Sequence, residues 1–257
     1  MLGKIRRLSR IVKNGRTVIL PMDHGITKPE KGIENVDKVV TEVQEYIDAV
    51  IVHKGVAKHS KVLAEMEPAL IIHLSASTIH ARDPNDKRIV TSVEKAIALG
   101  ADAVSVHINV GSKTEAEQIE RAGLISETCD DYGIPLLAMM YPRGSIEVNT
   151  ETVRHAARIG YELGADILKV PYVQKFEEVV EICKIPVVVA GGSKGGEEEF
   201  LRRVHDALTR GAAGVAAGRN VFSSDQPVRI ARALHMLVHG NATLEEVMRY
   251  ERGMVVG

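Results

Sequence analysis

The chain has 257 residues, of which 45% are hydrophobic and 26% charged, a composition that can fill a core and argues against intrinsic disorder. Its 33 basic and 34 acidic residues nearly balance, so there is no basic excess of the kind that a nucleic-acid partner usually requires. No apolar run approaches the roughly 20 residues that span a bilayer, and the basic N-terminus is not followed by a long apolar segment, so we expect neither a membrane partner nor a signal peptide.

Apolar runs of strand length recur along the chain and alternate with amphipathic stretches. The runs are rich in Val, Ile and Ala, which is typical of parallel strands buried on both faces. They predict strands over 17–23, 48–53, 69–75, 102–109, 134–141, 165–171, 185–192 and 212–219. Apolar residues at three- and four-residue steps predict helices over 35–46, 92–100, 112–133, 151–164, 197–211 and 225–240. Several of these end at a glycine that is expected to form a left-handed C-cap: Gly100, Gly133, Gly164, Gly211 and Gly240.

The number and spacing of these units indicate the fold class. Eight alternating β–α units within about 250 residues are what a TIM (β/α)8 barrel requires. An open doubly wound sheet also alternates, but it usually has fewer strands and a glycine-rich first turn, which PMDHG (21–25) is not. We therefore predict a single parallel eight-stranded TIM-barrel domain over residues 1–257, with Leu2–Lys13 as a short N-terminal helix that covers one end.

Lys169 is the most informative residue at the predicted strand ends. TIM-barrel enzymes place their active sites at the C-terminal ends of the strands, and Lys169 lies in the otherwise apolar run ADILKVP (165–171). Burial disfavours the charged ammonium, and an uncharged amine can attack a carbonyl carbon to form a Schiff base. The alternative is a structural lysine paired with a carboxylate, because lysine is rarely buried without a partner.

Asp23 and Tyr141 follow two other predicted strands. Asp23 comes directly before His24-Gly25, where its carboxylate could take or give a proton during carbon–carbon bond cleavage. The alternative is a helix cap or a residue that fixes the loop. Tyr141 precedes the rigid turn Pro142-Arg143, and its phenol could donate a proton to a carbonyl or hydroxyl oxygen. Alternatively, the tyrosine ring only packs in the mouth of the barrel.

Two glycine-containing turns end the seventh and eighth predicted strands, VVVAGG (187–192) and GVAAGRN (214–220). Loops after these two strands commonly form a phosphate site in TIM barrels. Gly191 and Gly192 would let the backbone approach a phosphate, and Arg219 would add a bidentate positive charge. Glycine pairs alone usually mean tight turns, but two at these strand ends, one with an arginine, favour phosphate binding.

Three histidines, His53, His73 and His107, end three different predicted strands. A metal site built from them is an open alternative, but the chain lacks the H-x-H and H-E-x-x-H spacings of such sites. We expect hydrogen-bonding residues that line the barrel mouth, with no metal and no organic cofactor. Cys129 and Cys183 also lack metal-ligand spacing, and we expect reduced thiols in a cytoplasmic protein.

Short motifs on or after all eight predicted strands allow a comparison with known families. They are PMDHG (21–25), HKG (53–55), HLSAST (73–78), SVHINVGS (105–112), AMMYPRG (138–144), GADILKVPY (164–172), VVVAGG (187–192) and GVAAGRNVF (214–222). In this order, over about residues 4 to 250, they resemble the archaeal-type class I aldolase family. The resemblance implies a TIM barrel that assembles into a large homo-oligomer, often a decamer.

Position by position, the resemblance implies a role for each candidate residue. The family's Schiff-base lysine falls on Lys169, and its proton-relay residues fall on Asp23 and Tyr141. Its phosphate-binding glycines fall on Gly191, Gly192 and Gly218, with Arg219 beside them. The family's substrate-contacting segments fall on Asp23–Thr27 and Tyr141–Arg143, which adds His24, Gly25, Ile26, Thr27, Pro142 and Arg143.

Two branches of the family imply different substrates. Fructose-1,6-bisphosphate aldolases of this type carry a tryptophan two residues before the catalytic tyrosine, whereas this chain has Met139 there and no tryptophan anywhere. AMMYPRG and SVHINVGS are more similar to the branch that makes 2-amino-3,7-dideoxy-D-threo-hept-6-ulosonate, on a route to 3-dehydroquinate and the aromatic amino acids. That branch implies a transaldolase acting on a deoxy-ketohexose phosphate and L-aspartate semialdehyde. The alternative is an aldolase that cleaves fructose 1,6-bisphosphate to triose phosphates.

A non-catalytic barrel that binds sugar phosphates is an alternative from another functional class. Such a protein would keep the glycines and Arg219, but it has no need for an amine within an apolar strand. The chain also departs from its relatives after the lysine strand. Relatives tend to have Tyr-Thr-Gly there, whereas this chain has Tyr172-Val173-Gln174. We therefore expect the loop that covers the donor to differ.

Overall fold

The computed structural model describes residues 2–192 and 195–251. Across these residues, eight parallel strands pair in chain order, and the first pairs with the last to close a barrel, which confirms the predicted TIM fold. The strands are β1 (Thr17–Pro21), β2 (Ala49–Val52), β3 (Ala69–His73), β4 (Ala103–Val110), β5 (Leu136–Pro142), β6 (Ile167–Val170), β7 (Val187–Ala190) and β8 (Gly214–Ala216).

Helices cover the outside of the barrel and one of its ends. They are α1 (Leu2–Ile11), α2 (Val36–Val43), α3 (Lys54–His59), α4 (Val62–Glu65), α5 (Val93–Ala98), α6 (Glu115–Tyr132), α7 (Thr150–Glu162), α8 (Phe176–Glu181), α9 (Glu197–Thr209), α10 (Arg219–Phe222), α11 (Pro227–Val238) and α12 (Leu244–Glu251). Short 3₁₀ helices span Asp23–Ile26 and Gln44–Tyr46, and Ser75–Ala76 pairs with Arg88–Ile89 in a small antiparallel hairpin. The sequence analysis did not predict the hairpin, α3, α4, α8, α10 or α12. No helix in the described ranges is long and apolar enough to cross a membrane.

The strands are almost continuously apolar because each has two buried faces. Alternate residues such as Ile19, Ile71 and Leu137 point into the barrel, where they form one cluster. The intervening residues pack outward beneath the helices in a second, larger cluster. Ile11, at the end of α1, is completely buried in the inner cluster, so α1 covers the N-terminal end of the barrel as predicted.

Salt bridges and hydrogen bonds hold α1 against this end. Asp48, Asp102 and Asp166 lie just before β2, β4 and β6, and each accepts a hydrogen bond from a backbone N–H of a neighbouring strand. Basic residues of the N-terminal segment pair with the same carboxylates, as Arg10 does with Asp102 at 2.7 Å. The helix ends at Ile11, two residues earlier than predicted. The chain then turns through Asn14 and Gly15, both with positive φ.

Four of the five predicted C-cap glycines adopt the left-handed conformation: Gly100, Gly133, Gly164 and Gly211. The prediction was wrong for Gly240, whose φ is not positive. Two residues, His239 and Gly240, follow the end of α11, and Asn241 then takes the left-handed conformation with φ of 50°. Asparagine tolerates this region better than most residues with a side chain.

Candidate active site

Lys169 is the third residue of β6, where its neighbours in the barrel are Met139 of β5 and Val188 of β7. The residue is only 6% exposed. Its Nζ lies 3.9 Å from the Met139 Sδ, which is a weak acceptor. Within 2–192 and 195–251, no carboxylate oxygen lies within 4 Å of this nitrogen. The structure therefore does not show the carboxylate-paired lysine that was the alternative for this position.

Two cavities meet at Lys169, at the C-terminal end of the barrel. The first, of about 310 Å³, is here called the glycine chamber. The second, of about 280 Å³, is called the aspartate chamber. Both are lined by His24, Tyr141, Arg143, Lys169 and Arg219. Gly191, Gly192, Gly218, Tyr172 and Arg203 line the glycine chamber only, whereas Asp23, Thr27, Lys28, Asn85, Lys87, His107 and Asn109 line the aspartate chamber only.

Asp23 begins the 3₁₀ helix after β1, and its carboxylate is held among histidines without hydrogen bonding to them. Its Oδ2 lies 3.8 Å from His73 Nε2, and its Oδ1 lies 3.7 Å from His24 Nδ1; both distances are too long for a hydrogen bond. Oδ1 is buried and has no hydrogen-bond partner in the described structure. Burial alone would raise the pKa of Asp23. In acid, however, the protonated His73 and His24, together with Lys169, outweigh burial, and this pKa is held well below its ordinary value. The Asp23 carboxylate is therefore ionised at neutral pH.

The histidines around Asp23 are neutral, and hydrogen bonds to two serines hold His73 in place. His73 Nδ1 lies 2.8 Å from Ser105 Oγ, and its Nε2 lies 3.2 Å from Ser75 Oγ. Burial lowers the pKa of His73 to about 3, despite the opposing effect of Asp23. Burial also lowers the pKa of His107 well below its ordinary value. The described residues contain no group of three or more His, Cys, Asp or Glu side chains placed to hold a metal ion. His73 and His107 are hydrogen-bonded beside Asp23, whereas neither ring nitrogen of His53 has a hydrogen-bond partner in the described structure, unlike the prediction for this residue.

Tyr141 is oriented by two contacts of its ring, with His107 and with Arg143. The ring stacks on His107, with centroids 4.8 Å apart and an interplanar angle of 28°. The Arg143 guanidinium lies 5.2 Å from the ring centroid. The nearby His107 is itself fixed by a 3.0 Å hydrogen bond between its Nε2 and Asn109 Oδ1. The phenol is therefore presented to both chambers from a fixed ring.

The two glycine turns lie side by side and are joined by hydrogen bonds. Asn220 Nδ2 donates to Gly191 O at 2.8 Å, and Arg219 Nη2 donates to Gly192 O at 3.3 Å. Gly192 has φ of 74°, and a side chain there would point into open space. At Gly218, a Cβ would lie 2.4 Å from Pro21 O, so this glycine lets the end of β8 pack against the end of β1. The sequence analysis did not identify Asn220.

Three residues predicted to contact substrate lie outside both chambers. Gly25 and Ile26 line a separate apolar cavity of about 430 Å³, because the 3₁₀ helix directs Asp23, His24 and Thr27 towards the chambers and these two residues away from them. Pro142 is buried behind Tyr141, on the opposite face of β5, because successive strand residues point to opposite sides. These three residues therefore line neither chamber, and their contact with substrate stays a prediction.

Several residues that line the chambers were not predicted from the sequence. Lys87 and Asn85 come from the polar loop before the second hairpin strand, and Arg203 comes from α9. No pattern in the sequence marks them. Tyr172 could have been predicted as a lining residue, because it directly follows the predicted strand 165–171, which contains Lys169. Its hydroxyl donates to Asp206 Oδ2 at 2.8 Å, which holds the side chain at the edge of the glycine chamber.

Comparisons with known proteins agree with this architecture. The family model for DeoC/LacD family aldolases matches residues 17–224. The chain is 82% identical over 257 residues to the 2-amino-3,7-dideoxy-D-threo-hept-6-ulosonate synthase 1 of Archaeoglobus fulgidus, covering all of this chain and 99% of that protein. It is 43% identical over 237 residues to the 2-amino-4,5-dihydroxy-6-oxo-7-(phosphonooxy)heptanoate synthase of Streptomyces griseus, covering 89% of this chain and 86% of that protein.

A solved structure extends the comparison to the arrangement of the barrel. A Schiff-base-forming fructose-1,6-bisphosphate aldolase superimposes with a TM-score of 0.84 at 31% identity, covering 92% of this chain and 100% of that chain. The family model and the full-length relative thus point to the same group of proteins. The chain belongs to the DeoC/LacD family of aldolases.

Proposed function

We propose that the protein makes 2-amino-3,7-dideoxy-D-threo-hept-6-ulosonate by a Schiff-base transaldolase reaction between a deoxy-ketohexose phosphate and L-aspartate semialdehyde. The observation that carries the reaction type is the amine of Lys169, which is buried, has no carboxylate within 4 Å in the described structure, and lies where two chambers meet. The choice of product rests on the 82% identity to the synthase of that name. The solved fructose-bisphosphate aldolase is only 31% identical, so that alternative activity is less well supported.

The product's name shows which bond the enzyme makes. Counting from the carboxylate, the amine is on carbon 2, carbon 3 is a methylene, carbons 4 and 5 carry hydroxyls, carbon 6 is the ketone and carbon 7 is a methyl group. L-Aspartate semialdehyde has the carboxylate, amine, methylene and aldehyde needed for carbons 1 to 4. The new bond therefore joins carbons 4 and 5. Carbon 5 is next to the ketone, which is the carbon that an enamine makes nucleophilic.

The reaction then proceeds through the Lys169 amine. The amine adds to the donor ketone and water leaves to form an iminium, which accepts the electron pair as the donor carbon–carbon bond breaks. The cleaved fragment departs as an aldehyde, and an enamine remains on Lys169. The enamine carbon attacks the aldehyde of L-aspartate semialdehyde. Water then hydrolyses the new iminium, releasing the product and the free amine.

The neighbouring residues bind substrate and move protons. The ionised Asp23 accepts the proton of the hydroxyl at the bond that breaks, and it returns a proton when the new hydroxyl forms. Tyr141 exchanges protons with the oxygen that leaves or joins the ketone carbon. Gly191, Gly192, Gly218 and Arg219 bind the donor phosphate, and this binding orients the reacting carbons. His24, Thr27 and Arg143 contact the substrate from the walls of the chambers.

Trapping with borohydride tests this function. Reduction in the presence of the deoxy-ketohexose phosphate is expected to add the mass of the retained fragment or of the donor to Lys169, as read by peptide mass spectrometry. The heptulosonate is expected only when L-aspartate semialdehyde is also supplied. An adduct on another lysine would overturn the mechanism. Rapid release of triose phosphates from fructose 1,6-bisphosphate, without heptulosonate formation from the other pair, would favour the alternative aldolase.

Replacing Tyr141 by phenylalanine is expected to lower kcat by about 10²- to 10⁴-fold with little change in KM, because the proton donor is lost. The ring contacts with His107 and Arg143 do not involve the hydroxyl and should persist. Steady-state kinetics and a thermal melt would check both points. An unchanged kcat would mean that the Tyr141 hydroxyl transfers no proton in the reaction and that the ring only packs in the mouth of the barrel.

We also propose that the protein is cytoplasmic and forms a homo-oligomer, up to a decamer, as the family resemblance implies. Exposed apolar side chains on α1 support a surface covered by other copies, since Leu2 and Ile5 are 70% and 63% exposed.

A further inference from the structure

Lys87 lines the aspartate chamber and has no part in the proton transfers described above. It lies just before the second strand of the hairpin, and its Nζ donates to Ser77 Oγ at 2.6 Å. The Ser77 hydroxyl in turn donates to Pro84 O at 2.6 Å. Throughout the described part of the chain, no carboxylate oxygen comes within 4 Å of the Lys87 ammonium. The side chain is thus held in place by a neutral partner.

Basic side chains outnumber acidic ones in this chamber, since Asp23 and Glu30 are lined up against Lys28, Lys87, Arg143, Lys169 and Arg219, and Glu30 pairs with Arg219 at 3.9 Å. Burial lowers the pKa of Lys87, Asp23 opposes this effect, and the nearby Arg143 adds to it. Arg143 lies against the Tyr141 ring and, among the described residues, makes no ion pair of its own. Lys87 is partly buried and its ammonium has only a hydroxyl partner, so an anion that completes its surroundings would stabilise it. This side of the site is therefore suited to an anionic group.

The position of Asp23 indicates which reactant lies here. Asp23 lines the aspartate chamber and not the glycine chamber. The hydroxyl that exchanges its proton with Asp23 is on the carbon at the far side, seen from Lys169, of the carbon–carbon bond that is made or broken. That carbon belongs to the leaving aldehyde in the first half-reaction and to L-aspartate semialdehyde in the second. Both aldehydes react with the same enamine carbon, so they occupy this chamber in turn.

We propose that Lys87, with Arg143 beside it, is the anion site for the aldehyde acceptor, where it binds the carboxylate of L-aspartate semialdehyde. This inference rests on the proposed transaldolase function. It makes Lys87 a binding residue for the acceptor side, opposite the glycine turns. Because the donor phosphate is bound at those turns in the proposed function, Lys87 is left to recognise the carboxylate.

A charge-removing substitution tests the site. Lys87→Gln keeps a hydrogen-bond donor for Ser77 and is expected to raise the KM for L-aspartate semialdehyde by about 10-fold or more, with a much smaller change in kcat. An uncharged acceptor such as propanal should react equally well with the variant and the wild type. Lys87→Arg should recover most of the affinity. A KM increase seen only for the phosphorylated donor, and absent for its dephosphorylated form, would assign the site to the donor phosphate.

Lys54→Gln is the matched control. Lys54 Nζ donates to Val90 O, next to the same hairpin, but Lys54 lines the separate apolar cavity and neither chamber. Its KM values should stay at the wild-type level. Two results for Lys87→Gln would overturn the anion site. One is an equal increase in KM for charged and uncharged acceptors, and the other is no increase in KM for any anionic substrate. Borohydride trapping on Lys169 separates failure of the anion site from failure of the transaldolase mechanism. If the mechanism holds, trapping should persist in Lys87→Gln. If the mechanism is wrong, trapping should already fail in the wild type.

Discussion

Replacing Lys169 by methionine is expected to lower turnover by about 10⁴-fold or more, because the proposed covalent intermediate forms on its amine. The fold should tolerate the change. Lys169 is 6% exposed, and within the described residues its only polar contact is the Met139 Sδ at 3.9 Å. Methionine has a similar length and no charge to desolvate, so the thermal midpoint should equal or exceed that of the wild type. Product assays, borohydride incorporation and a thermal melt measure the three effects.

The same substitution at Lys175 provides the control. Lys175 is exposed, and its Nζ pairs with Glu178 at 3.2 Å, an interaction of little energetic value at the surface. Lys175→Met should keep wild-type activity and stability. A Lys169→Met protein with activity within about 10-fold of the wild type would contradict Schiff-base chemistry and favour the non-catalytic sugar-phosphate barrel. A large drop in its thermal midpoint would instead show that the ammonium has a stabilising partner.

The barrel was predictable because burial on both faces leaves a strong signal in short strands. The apolar pattern predicts that each strand exists, but it predicts poorly the residues at which the strand begins and ends. The eighth run was predicted over 212–219, but β8 covers only Gly214–Ala216. Gly218 packs against Pro21 O, and the chain then turns at once into α10. Apolar composition continues through this turn, so the sequence alone does not show where strand pairing stops.

The central residues of the site were predictable because all parallel strands of a barrel end on the same side. Lys169, Asp23 and Tyr141 lie at such ends, and the structure brings all three to the chambers. Local geometry decides the rest. Ile26 and Pro142 are adjacent in sequence to lining residues but point away from the chambers, because a 3₁₀ turn and strand alternation rotate them outward.

Lys87 shows the limit of prediction from strand ends. It lies in a polar loop, DPNDKR (83–88), whose charged residues have the composition of an ordinary solvated turn. Its position depends on the hairpin, which pairs Ser75 with Ile89 and returns the loop over the chamber. Two-residue strands leave almost no periodic signal in a sequence. Only the tertiary structure therefore places Lys87 near Asp23.

Replacing Asp23 by asparagine is expected to lower kcat by about 10²- to 10⁴-fold while donor trapping on Lys169 is retained. The amide has nearly the same shape but cannot accept the hydroxyl proton when the carbon–carbon bond breaks. Asp23 Oδ1 makes no hydrogen bond in the described structure, so no structural contact of that atom is lost. Rapid-quench trapping combined with steady-state turnover would separate formation of the covalent adduct from cleavage.

The pH profile adds a second test of Asp23. Its pKa is held below the ordinary value, so the carboxylate remains ionised as the pH falls through the range from about 9 to 5. The ratio of wild-type to Asp23→Asn turnover should therefore stay constant over that range. Asp131→Asn, which changes an exposed residue at the end of α6, is the control and should match the wild type. An acid limb near pH 6 that is present in the wild type and absent from Asp23→Asn would show a raised pKa, making Asp23 a proton donor at neutral pH instead of a base.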